Sequence, residues 1–231
     1  MTTTSTSPLR LPARRAAISA VVLAAIWAVA FGVSDLPFFP LIAVGGIVTG
    51  LAGLWVRRPL IATHGAGAAW PPRMRLHRRA ALLAVGVAVA HLAVSHLLFQ
   101  LGSALLPQLV PTAEQAFGRA GTMPLWGAVL VGGAVTAPLE ETFWRGAAQP
   151  LFADALRRRH PRFAARPWAV VISSALAYAA FHAVTGHAAL VAAAALGGLI
   201  WGWLLERTHS VGACMLAHGL WAAGILLLPP V

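Results

Sequence analysis

Apolar residues in this chain run in long blocks, and the polar residues collect in the short segments between them. The blocks span Ala16 to Val33, Phe38 to Val56, Ala80 to Leu105, Pro124 to about Leu156, Trp168 to Val184, Ala188 to Leu205 and Val211 to Leu228. Most approach or exceed the ~20 residues a helix needs to cross a bilayer. They predict about seven transmembrane helices. Residues 1–15 read as a polar leader ending in Arg10, Arg14 and Arg15, with the first block retained as a span because its apolar core exceeds that of a signal peptide. Gly46, Gly50 and Gly53, and likewise Gly198 and Gly202, recur at helical spacing and predict faces where a neighbouring helix approaches closely. Pro59, Pro71 and Pro72 predict a loop from Arg57 to Arg79, and residues 106–123, with Glu114 and Arg119, an amphipathic surface segment.

Composition turns this pattern into a class. Hydrophobic residues make up 59% of the chain, charged residues only 10%, and the mean hydropathy is +0.77, whereas a soluble domain is roughly one-quarter charged. The fold class is all-α: a polytopic membrane helix bundle, with residues 16–231 as a single transmembrane domain. The net charge of +11 comes from arginine alone, and apart from Arg119 and Arg145 every arginine lies in the leader, in 57–79, in 157–166 or at Arg207. Alternate connections are basic, which is the positive-inside pattern of a bundle with a cytoplasmic N-terminus, not a nucleic-acid surface. The expected location is a cell membrane, and the absence of lysine suggests a bacterial coding sequence. Cys214, the single cysteine, excludes an internal disulfide and a cysteine-based zinc site.

Candidate chemistry begins at Ala137-Pro138-Leu139-Glu140-Glu141-Thr142-Phe143-Trp144-Arg145, where two of only six acidic residues stand side by side in an apolar block. Charge inside a membrane is costly and marks a functional cavity. Residues four apart share a helix face, so Glu141 pairs with Arg145, while Glu140 diverges by ~100° and stays available. His182 and His218 lie in later spans, at depths comparable with that of Glu140. A carboxylate and two imidazoles can bind a metal or activate a water. His91 and His96 read as packing residues, His187 and His209 as turn residues, and Ser173 and Ser174 as packing hydroxyls. Neither a Gly-x-Ser-x-Gly elbow nor a His-Glu-x-x-His helix is present.

Glu140-Glu141-x-x-x-Arg145, an aromatic-x-x-x-His ending at His182, and the late His218 together resemble the three motifs of the CPBP intramembrane proteases, which include the CAAX prenyl endopeptidase and the bacterial Abi proteins. The resemblance covers residues 124–228. It implies peptide hydrolysis within the membrane, with Glu140 and His182 activating a water, His218 stabilising the oxyanion, and Glu141, Arg145 and Tyr178 supporting the site. It leaves open a metal-free glutamate enzyme or one divalent metal such as zinc on Glu140, His182 and His218. The implied substrate is a peptide or membrane protein, possibly lipidated, met among membrane lipids. Tyr178 stands where the family usually has Phe, and Ala222 where it has Asn or Asp. The second departure removes an oxyanion donor, typically worth ~10²–10³ in rate, and favours an alternative: a non-catalytic immunity or partner-binding protein on the same scaffold. A proton-relay transporter would need inverted repeats, which the sequence lacks.

Overall fold

The computed structural model describes residues 10–33, 36–64, 72–120, 123–164 and 166–230, and every regular element in them is helical. α1 (Arg10–Gly32), α2 (Phe38–His64) and α3 (Arg78–Leu105) come first, followed by the short amphipathic α4 (Leu109–Ala120). The expected fourth span is a broken rod: α5 (Leu125–Val129), a π-helical stretch Leu130–Thr136, α6 (Ala137–Phe143), a second π-helical stretch Trp144–Ala148, and α7 (Gln149–Arg159). After α8 (Pro161–Ala164) come α9 (Pro167–His182), a 3-10 turn Ala183–Thr185, α10 (Ala188–Thr208) and α11 (Val211–Leu227). Among the described residues five helices are long and apolar enough to cross a membrane: α1, α2, α3, α9 with its turn, and α10. α11 is apolar but shorter, at 17 residues.

Two expectations change. α1 begins at Arg10, so the three leader arginines stand on the first helix, and residues 1–9 lie outside the described residues. α2 does not end near Val56 but runs through Pro59 to His64. A proline inside a helix has no N–H for the carbonyl four residues back; here Arg15 Nη1 takes over that carbonyl, donating to Trp55 O at 2.9 Å. The same device recurs in the broken rod. Pro150 cannot serve Gly146 O, and the buried Arg57 donates to it from Nη1 at 2.9 Å.

α6 lies at the centre, with α2 on one side and α11 on the other. The predicted glycine face makes this possible. A Cβ on Gly53 would stand 2.5 Å from the Thr142 carbonyl carbon and 2.6 Å from Phe143 N, and one on Gly46 2.8 Å from Thr136 Cα. Because the backbones touch, Thr136 Oγ1 donates to Ile42 O and Thr142 Oγ1 to Gly50 O, both at 3.2 Å. Gly198 likewise meets Ala175, joining α10 to α9.

The arginine-bearing ends converge. Besides the Arg15 and Arg57 contacts, Arg57 Nη2 donates to Pro72 O, Arg73 N to His209 O at 3.0 Å, and Ser210 Oγ to Arg75 O at 2.7 Å. Residues 72–77 therefore form a strap under the α10–α11 turn.

Candidate active site

The glutamates sit on α6, seven residues of regular helix held between two π-helical stretches. Each stretch has a proline shortly after it, Pro138 and Pro150, whose missing N–H and ring clash loosen the preceding turn. Such widened turns re-aim side chains and recur at functional sites. Glu140 and Glu141 thereby point into different surroundings, as the helical spacing predicts.

Glu141 faces inward and is wholly buried. Its Oε1 accepts from Arg145 Nη1 at 3.1 Å and from His218 Nδ1 at 2.9 Å. The first contact is the predicted i, i+4 pair. Arg145 is also fully buried, donates from Nη2 to Gly198 O at 3.2 Å, and lies 4.9 Å from the Tyr178 ring centroid and 5.3 Å from that of Trp201. The second contact was not legible in the sequence: 77 residues separate the partners, and no local spacing links them. It fixes a tautomer. A carboxylate oxygen only accepts, so Nδ1 carries the hydrogen and Nε2 is left for the cavity. Trp201 stacks on the His218 ring with centroids 3.7 Å apart, and behind it His91 stacks on Trp221 at 4.8 Å. Trp221 Nε1 donates to Ser95 Oγ at 3.0 Å. The packing role expected of His91 is what it has, and the indoles it supports hold His218 in place.

Glu140 is 5% exposed. Tyr178 Oη donates to its Oε2 at 2.7 Å, a bond phenylalanine could not make. The Tyr178 substitution thus adds a contact to Glu140 rather than merely preserving a ring. One turn on, His182 donates from Nδ1 to Tyr178 O at 2.9 Å; a carbonyl too only accepts, so in the neutral His182 ring Nε2 is the unprotonated nitrogen. His182 is 7% and His218 5% exposed.

Glu140, Tyr178, His182 and His218 line one cavity of about 390 Å³. Ala222 lines it as well, so the position where the resemblance expects a polar side chain faces the same space. Apart from Ser95 and Thr136 the rest of the wall is largely apolar, with Phe31, Phe38, Phe39, Phe99 and Phe117 prominent. α4 turns Leu109, Ala113, Ala116 and Phe117 toward the cavity, one face of the amphipathic segment the sequence predicts. Among the described residues no three His, Cys, Asp or Glu side chains are grouped to hold a metal ion. Nδ1 of both histidines and one oxygen of Glu140 are already engaged. Cys214 is buried and free, its thiol donating to Trp201 O at 3.3 Å.

Residues 122–224 match a family model described as Type II CAAX prenyl endopeptidase Rce1-like. No curated protein and no solved structure matches the chain significantly.

Proposed function

We propose, on the premise that residues 122–224 belong to the CAAX prenyl endopeptidase family, that this multi-pass membrane protein is an intramembrane endopeptidase that hydrolyses peptide bonds with a glutamate-activated water. The observation that carries the reading is the sharing of one cavity by Glu140, His182 and His218. In this mechanism Glu140 uses Oε1, since Oε2 is held by Tyr178, and takes a proton from a water beside it. His182 Nε2 accepts the water's other hydrogen bond and aims the oxygen at the scissile carbonyl. With both ring nitrogens protonated, His218 keeps Nδ1–H on Glu141 and donates Nε2–H to the developing oxyanion. The proton on Glu140 then passes to the departing amine. Trp201 and the Glu141–Arg145 pair keep the His218 ring from turning, which is where preorganisation contributes most.

The mechanism is written without a metal, since among the described residues no three His, Cys, Asp or Glu side chains are grouped as ligands for one ion. The substrate is a peptide or membrane protein segment apolar enough to occupy a phenylalanine-lined cavity. Ala222 favours one further reading, a binding or immunity protein on the same scaffold, since an alanine supplies no donor to an oxyanion. The test is incubation of the detergent-purified protein with a library of lipidated and unlipidated peptides, beside Glu140→Gln. Cleavage by the wild type that the variant lacks supports the endopeptidase; equal background from two well-folded samples leaves the binding protein.

A further inference from the structure

The cavity and the arginines lie at opposite ends of the bundle. The walls come from the end of α1 (Trp27, Phe31), the start of α2 (Phe38, Phe39) and the end of α3 (Leu98, Phe99), with α4 beside them. The start of α10 and the end of α11 complete the ring, and Leu98, 49% exposed, marks where it reaches the surface. Arginines occupy the other end of nearly every one of these helices: Arg10, Arg14 and Arg15 at the start of α1, Arg57 and Arg58 late in α2, Arg78 and Arg79 at the start of α3, and Arg207 at the end of α10. Arg157, Arg158 and Arg159 end α7, and Arg166 caps the start of α9. The contacts of Arg15, Arg57 and Arg73 tie these segments together.

Arginine-rich connections stay in the cytoplasm. From the two facts together we infer that the cavity opens to the extracytoplasmic half of the membrane, so the substrate segment is taken from that side. This rests on the endopeptidase reading for what happens to the substrate, but the sidedness does not. The chemistry of the wall narrows the substrate class. Among the described residues, no charged or titratable side chain lines the cavity apart from Glu140, His182, His218 and the Tyr178 phenol. An uncharged, apolar stretch of an exported or membrane-spanning peptide fits it. A chain anchored in the cytoplasmic leaflet would meet the arginine strap instead.

Two single substitutions test the sidedness without any assay of activity. Leu98→Cys stands at the cavity mouth and Arg207→Cys at the exposed arginine end; Cys214, fully buried, stays in place. Intact cells are treated with a membrane-impermeant maleimide. Labelling of Leu98→Cys before permeabilisation, and of Arg207→Cys only after it, is the expected result. The reverse order, labelling of both in intact cells, or no labelling of Leu98→Cys before permeabilisation overturns the inference. A second arm uses proteoliposomes sorted so that Arg207 faces the lumen and an apolar peptide with a charged, impermeant tail. Cleavage from outside is expected, at least tenfold above that of encapsulated peptide; preferential cleavage from the lumen overturns it. Correct labelling with no cleavage from either side leaves the sidedness standing and removes the endopeptidase reading.

Discussion

Replacing Glu141 by Gln removes the negative charge that serves both Arg145 and His218 while keeping the side chain's shape. Arg145 is then a wholly buried guanidinium without a counter-charge. Breaking a buried ion pair from one side costs ~3–5 kcal/mol. Arg145 retains Gly198 O at 3.2 Å and two aromatic faces at 4.9 and 5.3 Å, which places the expected loss near the low end, about 3 kcal/mol, or more than a hundredfold in the folding equilibrium. Arg145→Met leaves Glu141 with only the His218 Nδ1–H and is expected to cost a comparable amount. The double variant removes both charges and is expected to be less destabilised than the sum of the singles by ~1–3 kcal/mol, as for residues in one network. Unfolding in mixed micelles, followed by loss of helical circular dichroism, measures all three. Single losses below ~1 kcal/mol, or additive losses in the double variant, would refute the assignment of this pair as the charged anchor of the site.

Three further outcomes follow from the same geometry. Ala222→Asn restores a donor at a cavity wall and is expected to raise kcat for peptide cleavage ~10-fold or more, toward the ~10²–10³ such a donor supplies; an unchanged or lower kcat in a folded variant contradicts the placement of the oxyanion. Gly53→Ala pushes a methyl into the α6 backbone and is expected to destabilise by ~2 kcal/mol. Gly86→Ala, which meets nothing within 4 Å, should instead stabilise by ~0.5–1 kcal/mol; the same sign at both positions, measured by unfolding, would contradict the helix packing.

What the sequence disclosed depended on how local the cause was. The Glu141–Arg145 pair follows from helical periodicity alone, and the close approach at Gly46, Gly50 and Gly53 from small residues on one face. Both were visible without coordinates. Pro59 misled because a proline ends a helix only when nothing rescues its orphaned carbonyl, and the rescuer, Arg15, is 40 residues away. The broken rod was hidden for a related reason: Pro138 and Pro150 widen the turns before them without stopping the helix. The Glu141–His218 bond, the Trp201 stack and the buried support from His91 join elements remote in sequence, and no spacing encodes them. Tyr178 carried a faint signal, a phenol at a position where a plain ring would suffice, but its partner became evident only when α9 was set beside α6.

The central claim is that Glu140, His182 and His218 act as one unit on one substrate. Its most direct test is kcat/KM for peptide cleavage in proteoliposomes by Glu140→Gln, His182→Ala and His218→Ala, singly and combined. Residues that work as a unit are strongly non-additive, so the triple variant is expected to be no slower than the slowest single one. Losses that multiply across the three positions, or a wild type no faster than Glu140→Gln, would contradict the claim.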